Sequence, residues 1–375
     1  GMVRDAARSN IGLVPWGSGT FMHLGGRLRG AWSVLRSTEL SELGPISPED
    51  SLITCQAGCT LASVQAALAE HGHWVPVDAP EPDSATLGGI VAANVTGLLR
   101  ASMGSPRDTV VALRAVTSEG RTVKAGARVV KNAAGYDLAR LLAGSLGRLA
   151  FITEVTLRTK PRPPVSAVLS FTAESQSAVC DAAWSLHESR LPLAHLAVHL
   201  TVSSSDLSVG LQGNSTLVAW LRGQVESAML SAGLRPDYDQ PADEKLRREV
   251  NGLDSVCAAR MCGGPNDIYE IVRQPLSDGV QWAWLVTSGI AVASPRDAET
   301  DALAATLRDA ARSPVGHRVS LRWLREPDGG ADRSSALQQI PLMFSSPATL
   351  EADAIMRRVK AKLDPRCRFS PSRAL

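Results

Sequence analysis

Short apolar runs alternate with glycine-rich turns over the first 160 residues. Apolar positions at Leu61, Val64 and Leu68 follow a helical period, with Thr60 as a candidate N-cap and Gly72 as a candidate stop. A second short helix is predicted over 137–143. Strands are predicted at 11–15, 51–57 and 149–158, and a hairpin is predicted from 110–117 and 121–125.

The pattern changes after the proline cluster Pro161-Arg162-Pro163-Pro164, which we take as the best domain boundary. The second half mixes longer strands and helices, and this order predicts an α+β domain with a mainly antiparallel sheet. Its predicted strands lie at 165–171, 194–202, 207–211, 216–221, 282–288 and 319–323. Its predicted helices lie at 175–188, 226–232, 298–311 and 350–363.

Composition narrows the function classes. The chain has 375 residues, enough for two domains. Its 39 basic and 37 acidic residues nearly cancel, which argues against nucleic-acid binding. The apolar runs are too short for a membrane span, and the polar start has no secretory signal character. The six cysteines form no Cys-x-x-Cys pair, so we expect buried thiols, no metal site and a cytoplasmic protein.

Two glycine-rich elements are candidates for anion or cofactor binding. In Gly17-Ser18-Gly19-Thr20, glycines let backbone N–H groups face an anion such as a diphosphate without a Cβ in the way. A plain tight turn is the alternative for this loop alone. In Thr86-Leu87-Gly88-Gly89 and the small residues after it, the backbone can approach a flat or crowded group. Tight helix packing is the alternative there.

These elements and six further segments, in this order, resemble the FAD-binding domain of the vanillyl-alcohol oxidase/p-cresol methylhydroxylase (PCMH-type) superfamily. Within it, they resemble the FAD-binding E subunits of bacterial glycolate oxidases. The further segments are Gln56-Ala57-Gly58-Cys59-Thr60-Leu61, Leu68-Ala69-Glu70-His71-Gly72 with Pro76-Val77-Asp78, Gly97-Leu98-Leu99-Arg100, Arg107-Asp108, Val130-Lys131-Asn132-Ala133-Ala134-Gly135-Tyr136-Asp137 and Leu142-Ala143-Gly144-Ser145-Leu146-Gly147.

The resemblance implies an FAD-binding domain of two α+β subdomains over residues 1–161. It also implies an α+β cap domain over 162–344, and a C-terminal helix and tail over 345–375 that return to the first domain. FAD would be held without a covalent bond. The cofactor-binding residues implied by the resemblance are Pro15, Trp16, Gly17, Ser18, Gly19, Thr20, Thr86, Leu87, Gly88, Gly89, Asn94, Thr96, Gly97, Arg107, Asp108, Gly135, Tyr136, Asp137 and Ile152.

The sequence departs from the family pattern at three places. Few residues precede the first glycine loop, where the family has a further strand and helix. Arg148 and Ala150 stand where the family usually has Thr and Gly. Ser370 and Ser372 stand where the family's closing motif usually has Asn and Gly.

Catalytic residues are weakly indicated. Oxidation of a hydroxy acid needs a cation for the carboxylate and a base for the hydroxyl. His317 is a candidate base, and Arg318 and Arg322 share one face of a predicted strand, although a solvated outer face is the alternative. His195 and His199 lie on another predicted strand and are expected to be core or surface histidines rather than metal ligands.

Three functions are consistent with these patterns. The first is an FAD-binding subunit of a glycolate-oxidase-like complex. It implies a sister flavin subunit, an iron–sulfur subunit and a small 2-hydroxy acid. It also implies no integral membrane segment, with possible attachment to the inner membrane through partners. The second is a stand-alone FAD-dependent oxidoreductase. The third is a structural subunit that has lost FAD.

Overall fold

The chain forms two compact units. The computed structural model describes residues 2–9, 11–24, 31–126, 137–237, 242–253, 255, 258–275, 280–295, 300–316, 319–325, 347–364 and 369. One unit combines residues 1–97, 103–162 and 351–375, and the other combines 98–102 and 163–350. We call them the first and second units. Each has its own hydrophobic core.

Separate sheets form the framework of the first unit. Its strands are β1 (Gly12–Trp16), β2 (Trp32–Arg36), β3 (Leu43–Ser47), β4 (Leu52–Gln56), β5 (His73–Trp74), β6 (Val110–Val116), β7 (Thr122–Gly126), β8 (Phe151–Arg158) and β9 (Lys160–Pro161). Among the described residues, β3-β4-β8-β6-β7 is an antiparallel sheet in that order. β1 and β2 pair in parallel, and β5 pairs with β9.

Short helices surround these sheets. They are α1 (Met2–Arg8), α2 (Leu61–Ala69), α3 (Leu87–Ala93), α4 (Arg100–Met103), α5 (Pro106–Thr109), α6 (Leu138–Leu142) and, near the end of the chain, α12 (Pro347–Leu363). The predicted α2 is confirmed, because Leu61, Val64 and Leu68 are its buried residues. Thr60 caps it by accepting a hydrogen bond from the N–H of Ser63 at 3.2 Å, and Gly72 follows it with φ +67°.

The hairpin of β6 and β7 is also confirmed. Val116 lies opposite Thr122, and the turn between them contains Gly120 with φ +73°. A left-handed backbone at this position suits glycine because it has no Cβ. The strand predicted over 149–158 is observed as β8, which lies between β4 and β6.

One antiparallel sheet organises the second unit. Its strands are β10 (Val165–Ala173), β11 (His195–Leu200), β12 (Ser205–Gly213), β13 (Arg235–Asp237), β14 (Ala258–Cys262), β15 (Val280–Leu285), β16 (Ile290–Pro295) and β17 (Ser320–Arg325). In the described part of the chain their order is β13-β10-β12-β11-β15-β16-β14-β17, and every pairing between them is antiparallel. The predicted mainly antiparallel α+β fold is therefore confirmed.

The core of the second unit lies on one face of this sheet. Its helices are α7 (Gln176–Glu188), α8 (Ser215–Ser231), α9 (Ala242–Glu249), α10 (Pro265–Val272) and α11 (Thr300–Arg312). Val198 and Trp284 of the sheet share a buried cluster with Leu221 of α8 and Leu303 of α11. No helix that the structure describes combines the length and apolar character required to cross a membrane.

The strand predicted over 216–221 is wrong, because these residues belong to α8. The β-branched and aromatic residues there favour a strand locally. The wider pattern decides otherwise, since Val218, Leu221, Val225 and Met229 recur every three or four residues and are all buried. The side chain of Asn214 accepts a hydrogen bond from the N–H of Leu217 at 2.8 Å and fixes the start of the helix.

Candidate cofactor site

A pocket in the first unit gathers three distant stretches of the chain. The space between them, part of it open to solvent, totals about 720 Å³. The main stretches are the loop after β1, the residues from Thr86 to the end of α3 and the loop that enters β8, and Ser37 after β2 adds to the lining. The pocket is lined by Pro15, Trp16, Gly17, Ser18, Gly19, Thr20, Phe21, Met22, Leu24, Ser37, Thr86, Gly88, Gly89, Ala92, Ala93, Leu146, Gly147, Ala150, Phe151 and Ile152.

The loop after β1 is shaped by two glycines. A Cβ on Gly17 would lie 2.1 Å from Oγ1 of Thr86, so only glycine allows the loop to approach α3 this closely. Gly19 has φ +97°, and the ring of Trp16 lies against it. The backbone N–H groups of Gly17, Ser18 and Gly19 donate no hydrogen bond to any described residue. The loop therefore offers backbone donors to a bound anion.

The start of α3 forms the second wall. Thr86 caps the helix, since its Oγ1 accepts a hydrogen bond from the N–H of Gly89 at 3.3 Å. Gly88 packs against Ala57, whose Cβ would be 2.8 Å from an added Cβ. Gly89 differs, because an added Cβ there would meet only Thr86 at 3.2 Å and Phe21 at 3.9 Å. The missing side chain of Gly89 thus leaves room inside the pocket.

The loop before β8 forms the third wall and is tied to the end of α3. The N–H of Gly144 donates to Val91 O at 3.0 Å, and the N–H of Leu146 donates to Ala92 O at 2.8 Å. Leu146 and Gly147 both have positive φ, +54° and +68°. The sharp turn they make directs the chain into β8 and presents a largely apolar surface to the pocket.

The donor set of the pocket is neutral. No charged side chain is among the described residues that line it. Their polar side-chain groups are the hydroxyls of Ser18, Thr20, Ser37 and Thr86 and the indole N–H of Trp16. The hydroxyls of Ser18 and Thr20 lie 3.1 Å apart. Backbone N–H groups beside hydroxyls suit a diphosphate, and the alanine and phenylalanine surfaces suit a flat aromatic ring. These residues fit an FAD molecule.

Just over half of the residues implied by the resemblance meet in this pocket. They are Pro15, Trp16, Gly17, Ser18, Gly19, Thr20, Thr86, Gly88, Gly89 and Ile152. Sequence reasoning missed the third wall at Leu146, Gly147, Ala150 and Phe151, although Gly144-Ser145-Leu146-Gly147 was part of the resemblance. The positive φ of a non-glycine residue such as Leu146 leaves no signature in a sequence.

Other residues implied by the resemblance lie outside the pocket lining and make structural contacts. Leu87 is buried in the core of the first unit. Asn94 ends α3 with φ +48° and accepts a hydrogen bond from the N–H of Arg107 at 3.0 Å. Asp108 accepts a hydrogen bond from the N–H of Ser105 at 2.9 Å.

Further implied residues are either structural or outside the described part. Thr96 is buried, and a Cβ on Gly97 would lie 1.9 Å from Asp78 O, so Gly97 permits a close backbone crossing. Asp137 caps α6 by accepting a hydrogen bond from the N–H of Arg140 at 3.0 Å. Gly135 and Tyr136 lie outside the described residues. So do His317, Arg318 and the side chain of Arg322, the catalytic candidates that the residue pattern alone indicated.

The second unit contains a buried group of ionisable side chains that the sequence did not reveal. His199 of β11 lies with its Nε2 2.9 Å from Glu249 Oε2 and its Nδ1 3.7 Å from Asp206 Oδ2. Burial alone would lower the pKa of His199, but the nearby carboxylates of Asp206 and Glu249 outweigh it and raise the pKa. The two carboxylates therefore favour the protonated imidazole.

His195 lies on the same face of β11 as His199. Its Nε2 is 2.9 Å from Oγ of Ser208, in the interior. Both histidines are buried, as expected of core residues.

Comparison with known proteins shows what these features are similar to. Residues 1–126 match the model of an FAD binding domain. The chain is 38% identical to glycolate oxidase subunit GlcE of Escherichia coli (strain K12) over 151 residues, 40% of this chain and 43% of that protein. It is 30% identical to the D-lactate dehydrogenase of Archaeoglobus fulgidus over 193 residues, 52% and 43% of the two chains.

A third relative is the D-2-hydroxyglutarate dehydrogenase of Xanthomonas citri pv. viticola, 33% identical over 168 residues, 45% of this chain and 36% of that protein. The matched regions span less than half the length of each of these relatives.

The fold as a whole is also shared. Alkyldihydroxyacetonephosphate synthase superposes with a TM-score of 0.65 over 99% of this chain and 74% of that one, at 15% identity. At such low sequence identity, this structural similarity is evidence for the fold alone. The sequence matches show that the N-terminal part of this chain is similar to an FAD binding domain.

Proposed function

We propose that this chain is the FAD-binding subunit of a glycolate-oxidase-like complex that oxidises a small 2-hydroxy acid. The main support is the convergence of the Gly17–Thr20 loop, the start of α3 and the loop before β8 on one uncharged pocket. The similarity to a glycolate oxidase subunit supports the choice of complex.

Different residues of the pocket would bind different parts of the cofactor. The N–H groups of Gly17, Ser18 and Gly19, which donate to no described residue, and the hydroxyl of Thr20 would hold the diphosphate. Ala92, Ala93 and Phe151 would contact the ring system and exclude water from it. Bound FAD would supply two-electron redox chemistry, and the protein would bind and orient it. These contacts would hold the cofactor without a covalent bond to the protein, so we propose non-covalent binding.

The neutral lining supports a division of labour between subunits. A 2-hydroxy acid carries a carboxylate, which proteins usually pair with Arg. The pocket lining offers no cation among its described residues. We therefore place the catalytic oxidation mainly in a sister flavin subunit, with an iron–sulfur subunit as electron acceptor. The complex would be cytoplasmic, with any membrane attachment made through partners.

The absorption spectrum of the purified protein is the primary test. We expect a yellow protein, or an apoprotein that takes up added FAD with a flavin-like visible spectrum. Addition of glycolate or D-lactate to the isolated, FAD-loaded chain should bleach the flavin only slowly, and addition of the sister subunits should accelerate bleaching.

Two outcomes would favour the alternatives. Fast bleaching of the isolated chain would favour a stand-alone oxidoreductase. A folded, colourless protein that does not take up FAD would favour a structural subunit.

Substitution Gly89→Val tests the pocket itself. The new side chain would project into the space left beside Thr86 and Phe21 and should obstruct the cofactor. Overpacking costs ~1–3 kcal/mol, so we expect FAD affinity to fall by about 10- to 100-fold in a titration followed by flavin fluorescence.

The matched control is Gly223→Val. Gly223 also lies within a helix, and no atom approaches its missing Cβ within 4 Å. This variant should bind FAD like the wild type. Equal FAD affinity for the two variants would refute the assignment of the pocket.

A further inference from the structure

A buried lysine near the end of the chain connects three segments of the first unit. The Nζ of Lys360, in α12, donates hydrogen bonds to the carbonyl oxygens of Arg148 and Phe369 and to the carboxylate of Asp364. Its bond to Phe369 O is 2.9 Å long, and its side chain is only 12% exposed. An ammonium group has three donors, and here all three have acceptors.

Asp364 completes this arrangement from the other side. It is fully buried, and its Oδ2 accepts hydrogen bonds from Lys360 and from the N–H of Phe369, the latter at 2.9 Å. Phe369 is therefore held at both its N–H and its carbonyl. We call Lys360, Asp364 and Phe369 the C-terminal clip.

The clip contacts the two chain segments that lead into the cofactor pocket. Arg148 directly follows Gly147, and the chain from there through Ile152 forms the third wall. Phe369 forms a parallel β-bridge with Leu13 in β1, the strand that enters the Gly17–Thr20 loop. The ring of Phe369 is fully buried in a cluster that contains both Leu13 and Phe151.

These two segments must stay in register for the pocket to exist. A Cβ on Gly147 would lie 2.9 Å from Cγ of Pro15, so the third wall already touches the end of β1. Close packing of this kind tolerates little displacement. Movement of either segment would separate the diphosphate donors from the apolar surface.

We propose that Lys360 is a positioning residue for FAD, which holds the two walls of the pocket together through Arg148 and Phe369. This inference rests on the proposed function. Lys360 is not among the residues that line the pocket, so its effect on the cofactor is indirect. The role requires its charge and its three donors, because Asp364 is a buried carboxylate that needs a cation.

The test compares Lys360→Met with Lys362→Met. Lys362 lies on the same helix and is exposed, so it is a matched control. We expect Lys360→Met to weaken FAD binding by about 10- to 100-fold, by analogy with the loss of metal affinity when the groups that orient a metal's ligands are removed. The visible circular dichroism of the bound flavin should also change, because it reports how the ring is held. Lys362→Met should match the wild type in both measurements.

A second variant separates positioning from stability. Lys360→Met removes a cation from the buried Asp364 and can prevent folding. The double variant Lys360→Met/Asp364→Leu removes both charges and should restore the melting temperature of the apoprotein towards that of the wild type. We expect its FAD affinity and its flavin dichroism to remain altered, because the links to Arg148 and Phe369 are still missing.

The outcomes distinguish the two proposals. If the wild-type protein takes up FAD and a folded Lys360 variant shows the same affinity and dichroism, the positioning role alone is overturned. Wild-type protein that takes up no FAD would overturn the proposed function together with this inference.

Discussion

Single backbone positions determine whether the cofactor pocket can form. Gly17 and Gly97 are both required because another chain segment occupies the place of their Cβ, Thr86 in one case and Asp78 in the other. Gly89 is different, since its missing side chain leaves space for a ligand. The three glycines look alike in the sequence, and only the packing around them separates a structural role from a binding role.

At His199, the charge state sets a pH dependence of stability. The pKa of this buried histidine is raised above 6.5 by the neighbouring carboxylates of Asp206 and Glu249. The folded state thus binds a proton more tightly than the unfolded state. Its contribution is fully present below pH 6.5 and is lost as the pH rises through the folded pKa. We expect the free energy of unfolding of the second unit to fall over that range.

Urea unfolding followed by tryptophan fluorescence measures this effect, since Trp282 lies opposite Leu200 in the neighbouring strand. The variant His199→Gln should lose this pH dependence, and His71→Gln, at an exposed position, should retain it. An unchanged pH profile in His199→Gln would show that the imidazole is not the titrating group.

The pKa of Asp206, in the same cluster, is shifted in the opposite direction. Burial alone would raise the pKa of its carboxyl group, but the nearby imidazole of His199 and a hydrogen bond from the Ser204 hydroxyl lower it below its usual value of 3.8. Its contribution to stability is present above that unfolded pKa and is lost as the pH falls through the folded pKa. The His199–Asp206 contact therefore stabilises the protein most between these two ranges.

At the scale of elements, the spacing of apolar residues in the sequence predicts several of the elements that bury one face. It predicted α2, the β6–β7 hairpin and β8, because each has a regular buried pattern or a glycine turn. It missed β14 and β16, in which successive residues are buried on both faces, so that no alternation marks them. The stretch 216–221 was misassigned because its local β propensity hides a helical period that extends to Met229.

The candidate site, too, could be predicted only where the local sequence carries a pattern. The loop Gly17–Thr20 and the segment Thr86–Gly89 were found because glycines and hydroxyls adjoin there in the sequence. The wall formed by Leu146, Ala150 and Phe151 depends on tertiary packing against α3 and β1, which no local pattern records. The group of His199, Asp206 and Glu249 also joins residues from separate elements.

The start of α8 provides a test of the corrected assignment. Replacement of Asn214 by Ala removes the acceptor for the N–H of Leu217 and should cost about 0.5–2 kcal/mol in the free energy of unfolding. Asn214→Asp keeps an acceptor and should cost much less. Urea denaturation of the two variants checks this expectation. An equal effect of both substitutions would indicate that Asn214 does not act as a cap.

At the scale of the whole molecule, the first unit is assembled from both ends of the chain. Residues 1–97 and 103–162 form most of it, and residues 351–375 complete it. Val359 and Leu363 of α12 pack against its core, and Ser118 Oγ donates to Leu363 O at 3.3 Å. FAD binding should therefore stabilise the C-terminal segment together with the N-terminal pocket, because a ligand stabilises the cooperative unit that it binds.

Hydrogen exchange with and without FAD tests this cooperativity. We expect slower exchange in the Gly17–Thr20 loop, where the cofactor would cover the N–H groups directly. Slower exchange is also expected at Leu13 and Phe369, which lie outside the pocket lining but are joined through the C-terminal clip. The edge strand β7 contributes no residue to the lining and serves as the internal reference. If protection were confined to the pocket loops, the clip would not couple the end of the chain to the cofactor.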